Sequence, residues 1–128
     1  MAEMSNYLEN ALINVTLRAT SYTAPTTVYV GLYTTDPTDA NTGTEVSGGS
    51  YARVAATFGA PSNGATSNTA AIEFPQATAS WGTVGWIGIL DASTTGNLLY
   101  HSPLDVSKAI DTGDVFKISI GNLTVTLA

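Results

Sequence analysis

The sequence predicts a mainly β fold: a single antiparallel β-sandwich, jelly-roll or immunoglobulin-like, with a short N-terminal helix. About seven apolar stretches of strand character are separated by turn signals roughly every ten residues. Charged residues make up only 11% of the 128 residues, less than half of the roughly 25% in an average soluble domain. No long helical pattern alternates with the strands, so a doubly wound α/β fold is excluded.

One domain is expected for the whole chain, residues 1–128, because this length supports a single core and is short for two. Residues 1–20 are predicted to form an N-terminal helix or arm, and residues 28–128 to form the β core. No repeat and no linker divides the chain.

The helical signal lies in residues 5–19. Asn6 followed by Glu9 resembles a capping box, in which each side chain satisfies a free backbone N–H at the helix start. The predicted apolar face consists of Leu8, Leu12, Val15 and Ala19. Two interpretations remain open: the helix plugs one end of the β core, or it is an arm that docks on a neighbouring subunit.

The first strands are predicted over residues 28–33, 50–58 and 70–74. In residues 28–33 the apolar side chains alternate with tyrosines, as expected of a strand with two different faces. Polar, glycine-rich residues up to Gly49 predict a loop before the second strand, and residues 59–69 predict another loop after it.

Residues 81–91 are the predicted centre of the fold, because their apolar side chains fall on both faces of a strand and such strands are covered by protein on both sides. Residues 98–100 are the predicted returning strand of a hairpin. The two faces are predicted to carry Trp81, Ile87 and Ile89 on one side and Val84, Trp86 and Leu90 on the other.

The C-terminal part is expected to remain in the sheet. Residues 102–104 (Ser-Pro-Leu) are predicted to break the strand pattern. Phe116, Ile118 and Ile120 share one parity, which shifts by one residue after Gly121. Such a shift predicts either one bent strand or two short ones.

Charge and composition argue against several functions. With a net charge of −6 and only four Lys and Arg residues, the chain lacks the clustered cations that bind phosphate backbones or anionic membranes. We therefore expect neither nucleic acid nor membrane as a partner. The absence of cysteine excludes disulfides and thiolate metal sites, and no signal peptide is visible.

No motif predicts catalysis. His101, the single histidine, is expected to be a surface residue at a strand end, without the nucleophile and acid that a triad requires. The pairs Asp36/Asp39 and Asp111/Asp114 are explained by turn chemistry, and residues 39–43 lack the glycine position and closing acid of a calcium loop. We expect no enzyme activity, no catalytic residue, no metal and no cofactor.

Aromatic side chains on predicted strands are the best candidates for contact with a partner, because aromatic residues are enriched at interface centres. Core packing is the alternative role for each of them. The candidate interface residues are Tyr29, Tyr33, Tyr51, Trp86 and Tyr100.

Four stretches, residues 7–10, 28–38, 48–53 and 81–100, resemble a family of small β-rich virion proteins of tailed bacteriophages, described as capsid decoration or tail-fibre-like. The shared motifs consist of turn and core residues. The resemblance therefore implies kinship of fold more directly than a place in the virion, and it supplies no catalytic residues.

This resemblance implies a structural protein located in the virion, which is assembled in the cytoplasm of the host bacterium. The main expectation is a capsid decoration (cement) protein that binds the outer shell across major capsid protein subunits. Its partners would be the major capsid protein and copies of itself, with a trimer as one arrangement. The alternative is a tail or tail-fibre component involved in host attachment.

Overall fold

The computed structural model describes residues 2–127, and it confirms a mainly β fold with one short N-terminal helix. All strand pairs are antiparallel. The elements are β1 (Glu3–Met4), α1 (Asn6–Leu17), β2 (Val28–Tyr33), β3 (Val54–Ala56), β4 (Ala65–Ser67), β5 (Ile72–Glu73), β6 (Gly82–Leu90), β7 (Leu98–Ile110), β8 (Lys117–Ile118) and β9 (Thr124–Thr126).

The strands form one large sheet and two small ones. The five-stranded sheet has the order β1-β7-β6-β2-β3, and the two-stranded sheets pair β4 with β9 and β5 with β8. Side chains from all three sheets meet in one apolar cluster, which gives a sandwich-like arrangement. That cluster includes Val30, Leu32, Ile87 and Ile89 from the large sheet and Ile72 and Val125 from the small ones.

Strand β2 has the bounds that its alternating pattern predicts. Its residues Val30 and Leu32 are fully buried, and they pair with Ile89 and Ile87 of β6 on the core face. On the opposite face the ring of Tyr33 lies over Gly88, where an added Cβ would stand 2.8 Å from the ring. The glycine therefore allows the aromatic ring to approach the backbone of β6 closely.

The two faces of β6 differ from the prediction, because the pairing of β6 with β7 is irregular at Gly85. Val84 pairs with Lys108 and Trp86 pairs with Pro103, so residues 104–107 of β7 all lie opposite Gly85. This irregularity turns Val84 into the core cluster, where it is fully buried. The prediction that Val84 and Trp86 share a face was wrong, because the pairing is irregular at Gly85 and the regular alternation of side chains does not continue through it.

Strand β7 also differs from prediction, because it continues through Pro103 to Ile110 for 13 residues. Proline is tolerated at a sheet edge, and β1 pairs only with Tyr100 and His101. Pro103 thus lies beyond the β1 pairing, on an edge of β7 that no described strand covers. The predicted break is seen instead as the register irregularity opposite Gly85.

The shorter strands differ from prediction mainly in length. The predicted strands over residues 50–58 and 70–74 are reduced to β3 and β5, and β4 lies inside a predicted loop. Residues after 115 form two short strands, β8 and β9. The buried Asn68 joins this region by donating to the carbonyl of Ser119, 3.1 Å away, and accepting from the N–H of Leu123 at 2.9 Å.

Helix α1 begins one residue earlier than the predicted capping box implies. The N-cap is Ser5, whose hydroxyl oxygen accepts from the N–H of Leu8 at 3.2 Å. The Ser5 hydroxyl also donates to the carbonyl of Leu98, and its N–H donates to that of Leu99 at 2.9 Å. These contacts with β7 place Ser5 at the cap in preference to Asn6. No helix in the described residues has the length and hydropathy of a bilayer-spanning segment.

Candidate functional site

Tyr33, one of the five candidate interface residues, lies inside the fold. Its side chain is only 2% exposed, and its hydroxyl donates to Oδ1 of Asn41 at 3.2 Å. Burial, with the nearby Glu45 carboxylate, raises the pKa of Tyr33 from 10.0 to about 12. In the isolated chain its ring fills the space over Gly88, so Tyr33 offers almost no surface to a partner.

Tyr51 is also mostly committed to contacts within the chain. Its ring is stacked on Phe74 at 6.2 Å and meets Trp81 edge-on at 5.4 Å. Its hydroxyl donates to Oε2 of Glu45 at 2.6 Å and accepts from the N–H of Leu32 at 2.9 Å. Burial and the hydrogen bond to Glu45 raise the pKa of Tyr51.

Glu45 connects Tyr51 to Arg53, and we call these three residues the carboxylate clamp. Arg53 holds Glu45 in a bidentate pair with two contacts of 2.8 Å, from Nε to Oε2 and from Nη2 to Oε1. Its Nη1 donates to the carbonyls of Ala92 at 2.9 Å and Thr95 at 2.8 Å. The clamp therefore fastens the chain between β2 and β3 to the β6–β7 loop, with the Arg53 side chain only 9% exposed.

Tyr29, Trp86 and Tyr100 keep part of their surface in solvent. Each is of intermediate burial. Trp86 lines a shallow groove with Thr34 and Pro103, whereas Tyr100 packs against the rim of the core cluster. These three aromatics remain candidates for an interface, a prediction that the isolated chain does not test.

Helix α1 carries the main exposed apolar surface of the described residues. Four of the eight large apolar side chains that are exposed lie on this 12-residue helix. Three of them lie on one side of the helix, and we call these the α1 apolar patch: Tyr7 (41% exposed), Ile13 (52%) and Leu17 (79%). Val15 (41% exposed) lies on the other side, in line with the buried Leu8. Ile13 and Leu17 are neighbours on the helix surface because they are four positions apart.

Only the start of α1 is anchored. Leu8 is its one buried residue, and the helix packs against β7. Exposure increases toward Leu17, and residues 18–27 continue as mostly exposed chain without regular structure until β2 begins. The helix thus contacts the rest of the fold over its first turns, up to the partly buried Leu12 and Asn14, and its last residues, 15–17, are exposed.

His101 is not the surface residue that its position in the sequence predicts. It lies within β7, is 5% exposed, and its Nε2 lies 2.7 Å from Oδ1 of Asp39 and 3.9 Å from Oε2 of Glu3. Pairing of β1 with β7 places Glu3 opposite His101. Sequence reasoning missed this cluster because β1 has only two residues and Asp39 is 62 positions away from His101.

Turn contacts explain the side chains of Asp36 and Asp114, as predicted, whereas the carboxylate of Asp39 contacts His101 instead. Oδ1 of Asp36 accepts from the N–H of Thr38 at 2.9 Å. Likewise, Oδ2 of Asp114 accepts from the N–H of Asp111 at 2.9 Å. Such contacts are the usual reason for Asp in turns.

A family model described as "Podophage GP4 fiber I protein gp80" matches residues 3–126. The chain belongs to this family. It is therefore a structural protein of tailed-phage virions, in agreement with the resemblance in the sequence. A search of curated proteins finds no match.

The gp80 family name bears on the two expected roles. It describes a fibre protein, which fits the tail-fibre alternative better than capsid decoration. The main functional expectation from the sequence, a cement protein of the capsid, is not confirmed. Gp80 membership supplies no catalytic or ligand-binding residue for comparison with the clamp or with His101.

Proposed function

We propose that this protein is a component of a tail fibre that takes part in host attachment and works by protein–protein contact without catalysis. The family match over residues 3–126 is the observation that carries the proposal. The match spans both the β core and helix α1, so the relationship includes the N-terminal helix as well as the sheets.

The α1 apolar patch supports a role in assembly. Exposed apolar side chains grouped on one short element are typical of surfaces that are covered in the working state. Low charge adds to this, since 11% charged residues offer little repulsion between copies. We propose that a second copy of this chain covers the patch, so that the fibre component is a homo-oligomer, with a trimer as one arrangement.

The net charge of the chain supports the proposal that neither nucleic acid nor a membrane is a partner. A net charge of −6 disfavours contact with nucleic acid and with anionic membranes. Virion location, with assembly in the host cytoplasm, belongs to the same proposal.

Capsid decoration is the second candidate. It is favoured by one observation, the lack of any shaft repeat or coiled-coil segment in the chain. A cement protein would bind across major capsid protein subunits and would be present in numbers comparable to theirs.

Copy number separates the two candidates. Purified virions are analysed by quantitative gel densitometry, with the major capsid protein as the internal standard. A fibre component should be present at a small fraction of the capsid protein. Near-equal copy number would overturn the fibre proposal in favour of decoration.

Particles assembled without this protein provide a second readout. The fibre proposal predicts that they adsorb poorly to host cells and release DNA at the same temperature as complete particles. Normal adsorption together with a lowered DNA-release temperature would contradict it.

A further inference from the structure

We propose that Glu3, Asp39 and His101 form a binding site for a divalent transition-metal cation of the zinc class. One potential ligand atom from each of these residues lies within 4.8 Å of the other two. The proposal is independent of the role in the fibre, because it rests on side-chain geometry alone.

The distances are close to those of a metal site. Zinc binds imidazole nitrogen and carboxylate oxygen at about 2.0–2.2 Å, which separates tetrahedral donors by roughly 3.3–3.6 Å. Nε2 of His101 lies 2.7 Å from Oδ1 of Asp39 and 3.9 Å from Oε2 of Glu3. To bind the ion, the distance from His101 to Asp39 must lengthen and the distance from His101 to Glu3 must shorten, each by less than about 1 Å. Side-chain rotation provides a change of this order.

The side chains of the three residues differ in mobility, with one fixed ligand and one that can move toward the metal ion. The His101 side chain is 6% exposed and is held within β7, so its ring presents a fixed nitrogen. The backbone of Asp39 is held by the N–H of Asn6, which donates to its carbonyl at 2.9 Å. Glu3, whose side chain is 71% exposed, can swing to complete the site.

Charge favours a cation at this place. Two carboxylates approach one imidazole nitrogen, and among the described residues neither carboxylate has a Lys or Arg partner. A divalent ion would offset their mutual repulsion. The imidazole selects zinc, cobalt, nickel or copper over magnesium and calcium, which prefer oxygen ligands alone.

Three protein ligands leave at least one coordination position for water or for a group from another molecule. Because Glu3 belongs to β1 and Asp39 to the β2–β3 connection, the ion would fasten two segments to β7 at the base of α1. Metal binding would thereby fix where the arm leaves the core.

The test uses the full chain, free of any histidine tag and treated with EDTA, titrated with zinc chloride by isothermal calorimetry. The expected result is one ion per chain and a rise of several degrees in the unfolding temperature on saturation. Magnesium chloride should give neither effect. Absence of stoichiometric zinc binding would overturn the proposal.

Variants connect binding to these residues. Glu3→Gln should weaken zinc binding by at least about tenfold while leaving the metal-free fold intact, because this side chain is mostly exposed. Glu9→Gln, which alters an exposed glutamate on α1, is the matched control and should bind as the wild type does. Equal affinity of Glu3→Gln and wild type would also overturn the proposal. His101→Gln is expected to abolish binding.

Discussion

The carboxylate clamp and helix α1 differ in how firmly they are held to the rest of the protein. Both belong to parts of the chain that lie outside the central sheet. In the clamp, Glu45, Tyr51 and Arg53 satisfy one another and two loop carbonyls, so little bonding capacity remains for a partner. In α1 a single residue, Leu8, is buried, and the apolar patch remains in solvent. In a chain with few charges, a small polar network thus holds the shape, and the exposed apolar side chains of α1 remain for the contact with a second copy that we propose.

The largest expected loss of stability comes from a substitution in the carboxylate clamp. Arg53→Ala should lower the free energy of unfolding by about 2–4 kcal/mol, because it leaves the partly buried Glu45 carboxylate without its cationic partner, with only the Tyr51 hydroxyl still donating to it. Urea unfolding followed by tryptophan fluorescence measures the change.

Arg18→Ala is the matched control for that variant. Arg18 is exposed, and its side chain contacts only Oδ1 of Asn14 at 3.3 Å. Its loss should cost less than about 0.5 kcal/mol. Similar losses for Arg53→Ala and Arg18→Ala would show that the clamp does not hold the shape.

A smaller effect is expected at the anchor of α1. Leu8→Ala should lower the free energy of unfolding by about 2–3 kcal/mol, through lost burial and the cavity that remains. Leu17→Ala, on the same helix but 79% exposed, should change it by less than about 0.5 kcal/mol. Equal effects in denaturant titrations would contradict the view that α1 is fixed at one end only.

Alkaline pH tests the interior position of Tyr33. The pKa of Tyr33 is about 12 in the folded chain, compared with 10.0 for an ordinary tyrosine. As pH rises, the unfolded chain therefore loses this proton before the folded chain does. Its contribution to stability is therefore complete below pH 10 and is lost as pH rises toward 12. Tyr33→Phe should reduce the loss of stability measured by urea unfolding between these pH values. An unchanged loss would argue that the ring is not buried as described.

The sequence was sufficient to predict the elements with a strong local pattern. Strand β2 has the predicted bounds, residues 28–33, because its alternation of apolar and aromatic side chains matches the period of a strand. The face of Val84 and the continuation of β7 past Pro103 were not predictable in the same way. Both depend on the irregular register opposite Gly85, which is set by the pairing between two strands.

The candidate sites were harder to predict from the sequence than the strands. Their contacts join residues that are far apart in the chain, or they depend on how the chain is placed relative to other molecules. Asp39 and His101 are 62 residues apart, and no spacing motif links them. Arg53 was counted only as one of four cations, although its contact with Glu45 organises two connections.

Of the apolar face predicted for the helix, Leu8 is buried and Leu12 is partly buried, whereas Val15 is exposed and Ala19 lies beyond the end of α1. The degree to which the helix remains uncovered depends on where it lies in the fold.

The α1 apolar patch gives the smallest expected effect on folding and the most direct test of the central claim, that this protein works through contact. Leu17→Asp should leave the unfolding temperature within about 1–2 °C of wild type, because the residue is exposed. Val106→Asp is the matched control, since Val106 is 73% exposed and lies in β7, outside the helix and beyond the residues of β7 that pair with β1.

The decisive measurement is incorporation of each variant into virions when it replaces the wild-type protein, with light scattering of the purified chain to give its oligomeric state. We predict that Leu17→Asp is monomeric and absent from purified particles, whereas Val106→Asp associates and is incorporated as the wild type is. Normal association and incorporation of Leu17→Asp would contradict the account, because the α1 apolar patch would then have no part in assembly.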